Sequence, residues 1–276
     1  MASQTPIITE QPLVSVIMSV YNGERFLQQA VDSILQQTYS NWEFIIIDDN
    51  STDLTASILS GYSDERIRVL KNDQQLGLTQ NLNAAVEIST GEFIARMDAD
   101  DISLPLRLEK QVKYLKNAPL LAGVAGFIEF IDENGSPSGI WKHDRQTNTA
   151  SKIRALLPWE NCIAHPTVML RRNVISRYKY NIAQKHSQDW DLWLRLFAND
   201  LALEKLNEVV LQYRLHTSSV TYIQKKQSAF KKKNEIYRRY FASAGFKWNM
   251  FNLKVYSCYL VNKLMLHGSN IKRKLK

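Results

Sequence analysis

The sequence predicts an α/β fold in which helices cover both faces of a mostly parallel sheet. Two observations indicate it. Between residues 14 and 97, four short apolar runs rich in β-branched residues alternate with amphipathic stretches of helical spacing. Each apolar run is continuous, as is typical of parallel strands that are buried on both faces. Since the connections are short, we expect each pair of successive strands to be joined by a crossing helix.

The predicted elements follow in chain order. The strands of the first part are residues 14–20, 42–47, 67–70 and 93–97, and the helices between them are 24–37, 54–59 and 78–88. Ser51 and Asp53 are both suited to cap the second of these helices. After residue 101 the alternation loosens. We predict helices at 105–116, 151–157 and 189–198, strands at 121–131 and 167–171, and a hairpin turn at 132–135 with its return limb at 139–142.

The C-terminal part of the chain carries most of the positive charge. The 276 residues have a net charge of +8, but residues 225–276 hold fourteen Lys and Arg against one acid, Glu235, so the rest is mildly acidic. The pattern predicts two amphipathic helices here, at 225–240 and 248–266. Aromatic residues alternate with the lysines: Tyr237, Tyr240, Phe241, Trp248, Phe251, Tyr256 and Tyr259.

This composition predicts a basic amphipathic helical tail, residues 221–276, that binds an anionic membrane surface. The alternative is a helix pair packed on the body. On the first interpretation, residues 1–220 form a domain that keeps its activity when the tail is removed. The stretch 250–266 is broken by polar residues and is a poor membrane-spanning helix.

The two cysteines, Cys162 and Cys258, form neither a disulfide framework nor a zinc-binding spacing, which favours a reducing compartment. The first eleven residues are polar and do not have the charge and apolar pattern of a signal peptide. We therefore expect a cytoplasmic protein.

Polar side chains gather where three of the predicted strands end. Ligands of open parallel sheets bind beyond these ends. The residues are Ser19, Tyr21 and Asn22 after the first strand, Asp48 and Asp49 after the second, and Asp98, Asp100 and Asp101 after the fourth. The first turn has only one glycine, Gly23, so it forms neither a dinucleotide fingerprint nor a phosphate loop. A bound phosphate would have to be neutralised in another way.

The acids after the fourth strand suggest that way. Asp98 and Asp100 are two residues apart, so their carboxylates are expected to point to the same side and to converge on Mg²⁺ or Mn²⁺. The alternative is a helix N-cap cluster ahead of Pro105. Asp48 and Asp49, after the second strand, are suited to accept hydrogen bonds from the N–H or hydroxyl groups of a ligand. The alternative is that they belong to a capped turn.

A third acidic site is Asp189, at the start of the predicted helix 189–198. One interpretation is an N-cap aspartate. The other is a general base that removes a proton from an attacking hydroxyl. The neighbouring Trp190 and Trp193 either raise the pKa of Asp189 by desolvation or belong to the core.

Together these segments resemble the inverting family 2 glycosyltransferases of bacteria, which have the GT-A fold, over residues 13–220. The matching segments, in order, are VSVIMSVYNGERFLQQAVDSILQQTYSNWEFIIIDDNSTD, NLNAAVEISTGEFIARMDADD, HPTVMLRR, SQDWDLWLRL and YRLHTSSVT. The resemblance implies a nucleotide-binding half at residues 13–101 and an acceptor half at 102–220.

The resemblance also implies residue roles. Ser19, Tyr21 and Asp49 match the positions that bind the uridine of a nucleotide-sugar. Asp98 and Asp100 match the D-x-D pair, which binds Mn²⁺ or Mg²⁺ on the diphosphate and contacts the ribose and the sugar.

Three further positions match the family. Asp189 matches the catalytic base, although its neighbour is Gln188 where the family has Glu. His216 matches a histidine near the metal and diphosphate, with a free surface histidine as the alternative. His165 lies in a family segment near the acceptor cleft, and a structural turn is the preferred interpretation.

The implied activity is the inverting transfer of a hexose or N-acetylhexosamine from UDP-Gal, UDP-Glc or UDP-GlcNAc. The acceptor is a glycan or an undecaprenyl-diphosphate-linked hydroxyl, and the product is a β-linkage in O-antigen or other lipopolysaccharide. The Gln-x-x-Arg-Trp signature of processive synthases is absent. We expect peripheral attachment to the inner face of the plasma membrane.

Two other classes of protein compete with this interpretation. A sugar nucleotidyltransferase is expected to carry a glycine-rich basic loop, and VYNGERF is not one. A nucleic-acid-binding protein acting through the basic tail leaves the acidic strand ends unexplained, because unmetallated carboxylates repel phosphate. We therefore expect no nucleic-acid partner.

Overall fold

The computed structural model describes residues 11–184, 186–217, 219, 229–244 and 249–274. Their strands form one nine-stranded sheet. In chain order these are β1 Val14–Val20, β2 Trp42–Asp48, β3 Ile67–Lys71, β4 Phe93–Arg96, β5 Ile102–Ser103, β6 Gly123–Ile131, β7 Pro137–Ile140, β8 Met169–Arg171 and β9 Leu203–Arg214. The order across the sheet is β3-β2-β1-β4-β8-β6-β9-β5, and β7 pairs with β6.

The helices are α1 Leu27–Leu35, α2 Thr55–Ser60, α3 Leu78–Ile88, α4 Arg107–Asn117, α5 Lys142–Gln146, α6 Ala150–Leu156, α7 Arg172–Tyr178, α8 Gln188–Ala198, α9 Ala229–Ala244 and α10 Met250–Lys274. A 3₁₀ turn, His165–Thr167, precedes β8. Among the described residues, no helix is long and apolar enough to cross a membrane.

The predicted fold class is confirmed. Strands β3, β2, β1 and β4 run parallel, and their register sets Val20 beside Asp48. Successive residues of β1 belong to two different hydrophobic clusters, one on each face of the sheet. Ile17 lies in the cluster that contains Leu82 of α3, and Met18 lies in the cluster that contains Leu27 of α1. Helices therefore cover both faces of the sheet.

The second half differs more from the expected pattern. Strands β5 and β9 and helices α5 and α7 are additional to the prediction. β9 lacks the regular alternation of buried and exposed side chains by which a strand is predicted. Lys205 is buried beside Asp144, whereas residues 207–209 are all exposed. The α2 N-cap is Leu54, not Ser51 or Asp53. The side chains of Ser51 and Asp53 accept hydrogen bonds from the amides of Asn22 and Glu24 in the β1–α1 loop. Asp53 Oδ1 also accepts from the amide of Thr55, the first residue of α2, at 3.0 Å.

The two predicted tail helices are present, as α9 and α10, and they pack on the body. Tyr237, Tyr240 and Phe251 are at most 5% exposed and belong to the cluster that contains α8. The rings of Phe197 in α8 and Phe251 stack at 6.2 Å. These three aromatic residues therefore do not face a headgroup layer, contrary to the interpretation that used them as membrane contacts. Trp248 and residues 225–228 lie outside the described part of the chain.

Candidate functional site

The carboxyl ends of β1 and β2 are fastened together by their loops. Asn22 and Asn50 adopt left-handed backbone angles, with φ of 50° and 63°. The Asn22 amide donates to Ser51 Oγ at 3.0 Å, and Asn22 Oδ1 accepts from the Thr52 amide at 2.9 Å. Asparagine tolerates this backbone region better than most residues. The side chains that follow the two strands are thus held at one edge.

A chain of amides joins Ser19 to Asp49 at this edge. Asn81 Nδ2 donates to Ser19 Oγ at 3.0 Å. Asn72 Nδ2 donates to both Asn81 Oδ1 and Asp49 Oδ1, each at 2.8 Å. The structure thus brings together two residues predicted to bind uridine. Sequence reasoning missed Asn72 and Asn81, which lie after β3 and on α3, because no local pattern distinguishes them from surface asparagines.

Asp49 is 2% exposed and already binds protein donors. Besides Asn72, the amides of Leu76 and Gly77 donate to its carboxylate, each at 2.8 Å. Burial raises its pKa, but these hydrogen bonds and that of Asn81 outweigh it, so the pKa lies below its usual value.

Tyr21 and Asp48 flank this network. Tyr21 is 46% exposed and offers its ring to the solvent beyond β1. Asp48 is 1% exposed, and its Oδ1 accepts from the Ser51 amide at 2.9 Å. Among the described residues its buried Oδ2 has no hydrogen-bond partner. Such an atom is costly unless a ligand or water satisfies it.

Beyond β4, three carboxylates converge. Ligand atoms of Asp98, Asp100 and Asp101 all lie within 4.8 Å of one another. Asp101 is 1% exposed; its Oδ1 accepts from the Arg214 amide at 2.9 Å, and its buried Oδ2 has no partner among the described residues. Burial and the two neighbouring carboxylates raise the pKa of Asp101 well above its usual value. An oxygen-rich cluster with one unsatisfied buried oxygen fits a hard divalent cation.

Sequence reasoning missed Arg96, which forms an ion pair with Asp98. Both terminal nitrogens of the Arg96 guanidinium donate to the two oxygens of Asp98. Burial nevertheless raises the pKa of Asp98 to about 6, and the charges of Asp100 and Asp189 contribute to that rise, while Arg96 opposes it. The i, i+2 spacing that aligned Asp98 with Asp100 also aligns Arg96 with Asp98 and would have identified it.

His216 and Arg214 arrive at this cluster from the end of β9. His216 Nε2 lies 2.9 Å from Asp100 Oδ2, and its ring packs at 5.0 Å from that of Phe26. Arg214 donates through Nε to the Asp100 carbonyl at 2.9 Å and through Nη2 to Gln29 at 2.6 Å. The predicted pair of Asp100 and His216 is thus in contact, and His216 is not a free surface side chain.

Asp189 is the second residue of α8, whose N-cap is Ser187, so it does not have the N-cap position considered for it. Its Oδ2 accepts from Asn161 Nδ2 at 2.6 Å. Burial raises the pKa of Asp189 above its usual value, against the hydrogen bonds of the Trp190 amide and Asn161. A raised pKa suits a carboxylate that takes a proton. Trp190 is buried, as expected.

His165 has a structural environment. Its Nε2 lies 2.8 Å from the Tyr180 hydroxyl, and its ring contacts that of Trp193 at 5.9 Å. Burial and the charge of Arg96 lower the pKa of His165 well below its usual value. The histidine is therefore neutral and internal.

A mostly parallel sheet flanked by helices, with polar side chains and an acidic cluster at the carboxyl ends of its strands, matches the GT-A fold. A sequence model of the family described as Glycosyl transferase family 2 matches residues 15–179. The chain belongs to this family, as the sequence predicted.

Two relatives from Escherichia coli are similar over most of their length. The O-antigen biosynthesis glycosyltransferase WbnJ is 38% identical over 212 residues, which are 75% of this chain and 81% of WbnJ. WfgD, a UDP-Glc:α-D-GlcNAc-diphosphoundecaprenol β-1,3-glucosyltransferase, is 32% identical over 212 residues, 76% of this chain and 79% of WfgD.

Solved structures share the fold at low identity. Staphylococcus aureus TarS in complex with UDP-GlcNAc superposes with a TM-score of 0.70 at 16% identity, covering 90% of this chain and 72% of TarS. A Pyrobaculum calidifontis mannosyltransferase in complex with GDP-Man and Mn²⁺ has a TM-score of 0.64 at 18% identity, covering 95% and 76%.

Proposed function

We propose that this glycosyltransferase moves a hexose or N-acetylhexosamine from a UDP-sugar to a hydroxyl of a glycan or lipid-linked acceptor, with inversion at the anomeric carbon. One observation carries the proposal. Asp98, Asp100 and Asp101 form a cluster of carboxylates that fits a divalent cation, and the charge of the partly buried Asp189 acts on Asp98 in this cluster. A diphosphate bound at the cluster brings its sugar to Asp189.

Ser19, Tyr21 and Asp49 are the proposed uridine contacts. The exposed ring of Tyr21 is suited to stack on a base, and the carboxylate of Asp49, which its amide donors hold in a fixed direction, is suited to accept an N–H. Relatives support a uridine donor, since WfgD is named for UDP-Glc and TarS was solved with UDP-GlcNAc.

Asp98 and Asp100, with His216 beside them, are the proposed ligands of Mn²⁺ or Mg²⁺. The mannosyltransferase solved with Mn²⁺ supports a divalent cation in this fold. Such an ion supplies positive charge for the diphosphate leaving group. The protein contributes orientation: Arg96 fixes Asp98, and Arg214 fixes the backbone of Asp100.

Asp189 is the proposed general base. Because Asn161 and the Trp190 amide bind it, its carboxylate has a fixed direction and is ready to accept the proton of an acceptor hydroxyl. That hydroxyl attacks the anomeric carbon from the face opposite the diphosphate. A single displacement inverts the configuration, so an α-linked UDP-sugar gives a β-linked product.

The acceptor is proposed to belong to bacterial surface polysaccharide. WbnJ is named for O-antigen biosynthesis, and the acceptor in the name of WfgD is linked to diphosphoundecaprenol. A lipid-linked acceptor brings the enzyme to the cytoplasmic face of the plasma membrane.

The surface that fits this membrane is the outer face of α10, opposite its packed side. Apolar side chains are exposed along it at helical spacing, among them Met250 at 81% and Leu264 at 74%. The other members are Leu253, Leu260 and Val261. Lys254 and Lys263 are exposed on its two flanks, and the ammonium of Lys254 also donates to the Ala155 carbonyl at 2.7 Å. An apolar stripe between lysines suits an anionic bilayer, whereas two copies of the basic tail would repel each other.

Sedimentation with vesicles tests this surface. Leu264→Glu should reduce binding to anionic vesicles by about tenfold or more, because a carboxylate would enter the headgroup layer. Leu120→Glu, at a body residue that is 92% exposed, is the matched control and should bind like the unchanged protein. Equal binding by both variants, or a dimer in solution that Leu264→Glu dissociates, would refute the bilayer assignment.

Thermal unfolding in the presence of each UDP-sugar and Mn²⁺, followed by an assay of UDP release, tests the transferase. A matching donor should raise the unfolding temperature and be turned over. Asp100→Ala should lose the Mn²⁺-dependent part of UDP affinity. If UDP affinity is the same with and without Mn²⁺ in both proteins, the metal assignment is wrong.

A further inference from the structure

We propose that helix α9 positions the carboxylate of Asp189 through residues 157–161, which we call the base loop, and that Asn161 is the positioning residue within it. The inference rests on the proposed role of Asp189 as the base. It gives a part of the basic tail a function in the active site.

Asn161 makes the contact with Asp189, and its orientation is determined. Asn161 Oδ1 accepts from the Ile163 amide at 3.3 Å. The amide group must therefore present its Nδ2 to Asp189, where it donates to Oδ2 at 2.6 Å. A donor on this oxygen favours the anionic carboxylate and fixes its direction.

Two buried donors, one indole N–H and one tyrosine hydroxyl, bind the first residues of the base loop. Trp190 Nε1 donates to the Leu157 carbonyl at 2.8 Å, and the Tyr237 hydroxyl donates to the Pro158 carbonyl at 2.7 Å. Trp190 follows Asp189 in α8, and Tyr237 lies on α9. The loop is thus fastened both to the helix of the base and to the tail.

Tyr237 is fully buried, with its ring 5.9 Å from that of Trp190. Phenylalanine would fill the same space but would leave the Pro158 carbonyl without this donor. A second contact comes from Lys233, whose Nζ lies 4.6 Å from the ring centre of Trp159. Helix α9 therefore contacts two consecutive residues of the base loop, Pro158 and Trp159.

The geometry has a catalytic consequence. A shift of about 1 Å in a reacting group costs on the order of 10²-fold in rate. Loss of the Tyr237 hydroxyl releases the Pro158 carbonyl and lets Asn161 move with the loop. The proposed donor contacts at β1, β2 and β4 include none of these residues.

The test compares two buried tyrosines of α9. Tyr237→Phe removes the hydroxyl that binds the base loop. Tyr240→Phe is the matched control, because its hydroxyl bonds to Asn252 of α10 and not to the loop. Tyr237→Phe should lower kcat for UDP release by about tenfold with unchanged KM for the donor and unchanged UDP affinity, while Tyr240→Phe keeps kcat within about twofold.

Asn161→Ala tests the same path from the loop, at a partly exposed position where folding is not at stake. It should lower kcat by about 10²-fold. It should also move the acid limb of the kcat–pH profile to higher pH, because the anion of Asp189 loses a donor. A purely structural role would leave that limb where it is.

The outcomes separate the two proposals. If kcat falls equally in Tyr237→Phe and Tyr240→Phe, or the acid limb of Asn161→Ala does not move, the positioning role is wrong and the transferase remains. If the unchanged protein releases no UDP from any UDP-sugar, the proposed function itself fails.

Discussion

The guanidinium of Arg96 binds both carboxylate oxygens of Asp98 from a side chain that is only 6% exposed. Asp98, the first acid of the D-x-D pair, is therefore held by the buried guanidinium of an arginine. The arrangement offsets part of the repulsion among Asp98, Asp100 and Asp101, which would otherwise disfavour bringing three carboxylates together.

Arg96→Met should destabilise the protein and weaken donor binding. Breaking a buried ion pair costs about 3 kcal/mol, because the remaining carboxylate stays without its partner. Asp98 also loses its fixed direction, so the affinity for UDP in the presence of Mn²⁺ should fall. Denaturant unfolding and calorimetric titration with UDP measure the two effects. If UDP affinity with Mn²⁺ rises instead, Arg96 competes with the cation for Asp98.

Asp189→Asn should abolish transfer and leave UDP affinity intact. Removal of a general base costs about 10²- to 10⁴-fold in kcat, and Asp189 is not among the proposed uridine contacts. Steady-state assays and UDP titration of the same sample separate the two quantities. An equal loss of UDP affinity would give Asp189 a structural role.

The unchanged enzyme should be more active as the pH rises through the pKa of Asp189. A base must be deprotonated to accept a proton, and burial raises the pKa of this carboxyl above its usual value. The acid limb of the kcat–pH profile should therefore lie above the usual range of aspartate. A limb at the ordinary aspartate pKa would contradict the assignment.

Lys205→Met should be strongly destabilising. Lys205 and Asp144 form an ion pair of 3.0 Å, with side chains 0% and 4% exposed. Loss of one partner of a buried pair costs about 3–5 kcal/mol. Lys110→Met, which removes an exposed pair with Glu208, is the control and should cost no more than about 1 kcal/mol. Similar unfolding midpoints for the two variants would show that the buried pair contributes little.

A chain that ends after residue 219 should not fold stably. Tyr237 and Phe251 cover Trp190 and Phe197 of α8, and removal of each large buried side chain costs about 3–5 kcal/mol. Together these two losses amount to about 6–10 kcal/mol, which is comparable with the whole stability of a typical domain, about 5–15 kcal/mol. A chain that ends after residue 266 keeps these contacts and is the control. Transfer by the shorter chain would restore the separable tail that the charge pattern suggested.

The strand ends were predictable because the rule that relates them is local. Continuous apolar runs gave β1, β2 and β4, and parallel pairing then brought Ser19, Asp49 and Asp98 to one edge. Asn81, Asn161 and Arg214 were not found, since each reaches the site from an element distant in the chain. The count of charges also led to a wrong expectation for the aromatic residues of the tail. A helix with many lysines on its exposed side still has a buried side, and composition alone does not show on which side the aromatic residues lie.

The contact of Tyr237 with the base loop also affects the order of events during synthesis. Asp189 and the base loop leave the ribosome before Tyr237, and α10, which packs on α9, follows. Domains are completed as units once their packing partners are available. The proposed base therefore gains this support only after Tyr237 has been made, so a nascent chain that has not reached α9 lacks the contact that positions Asp189.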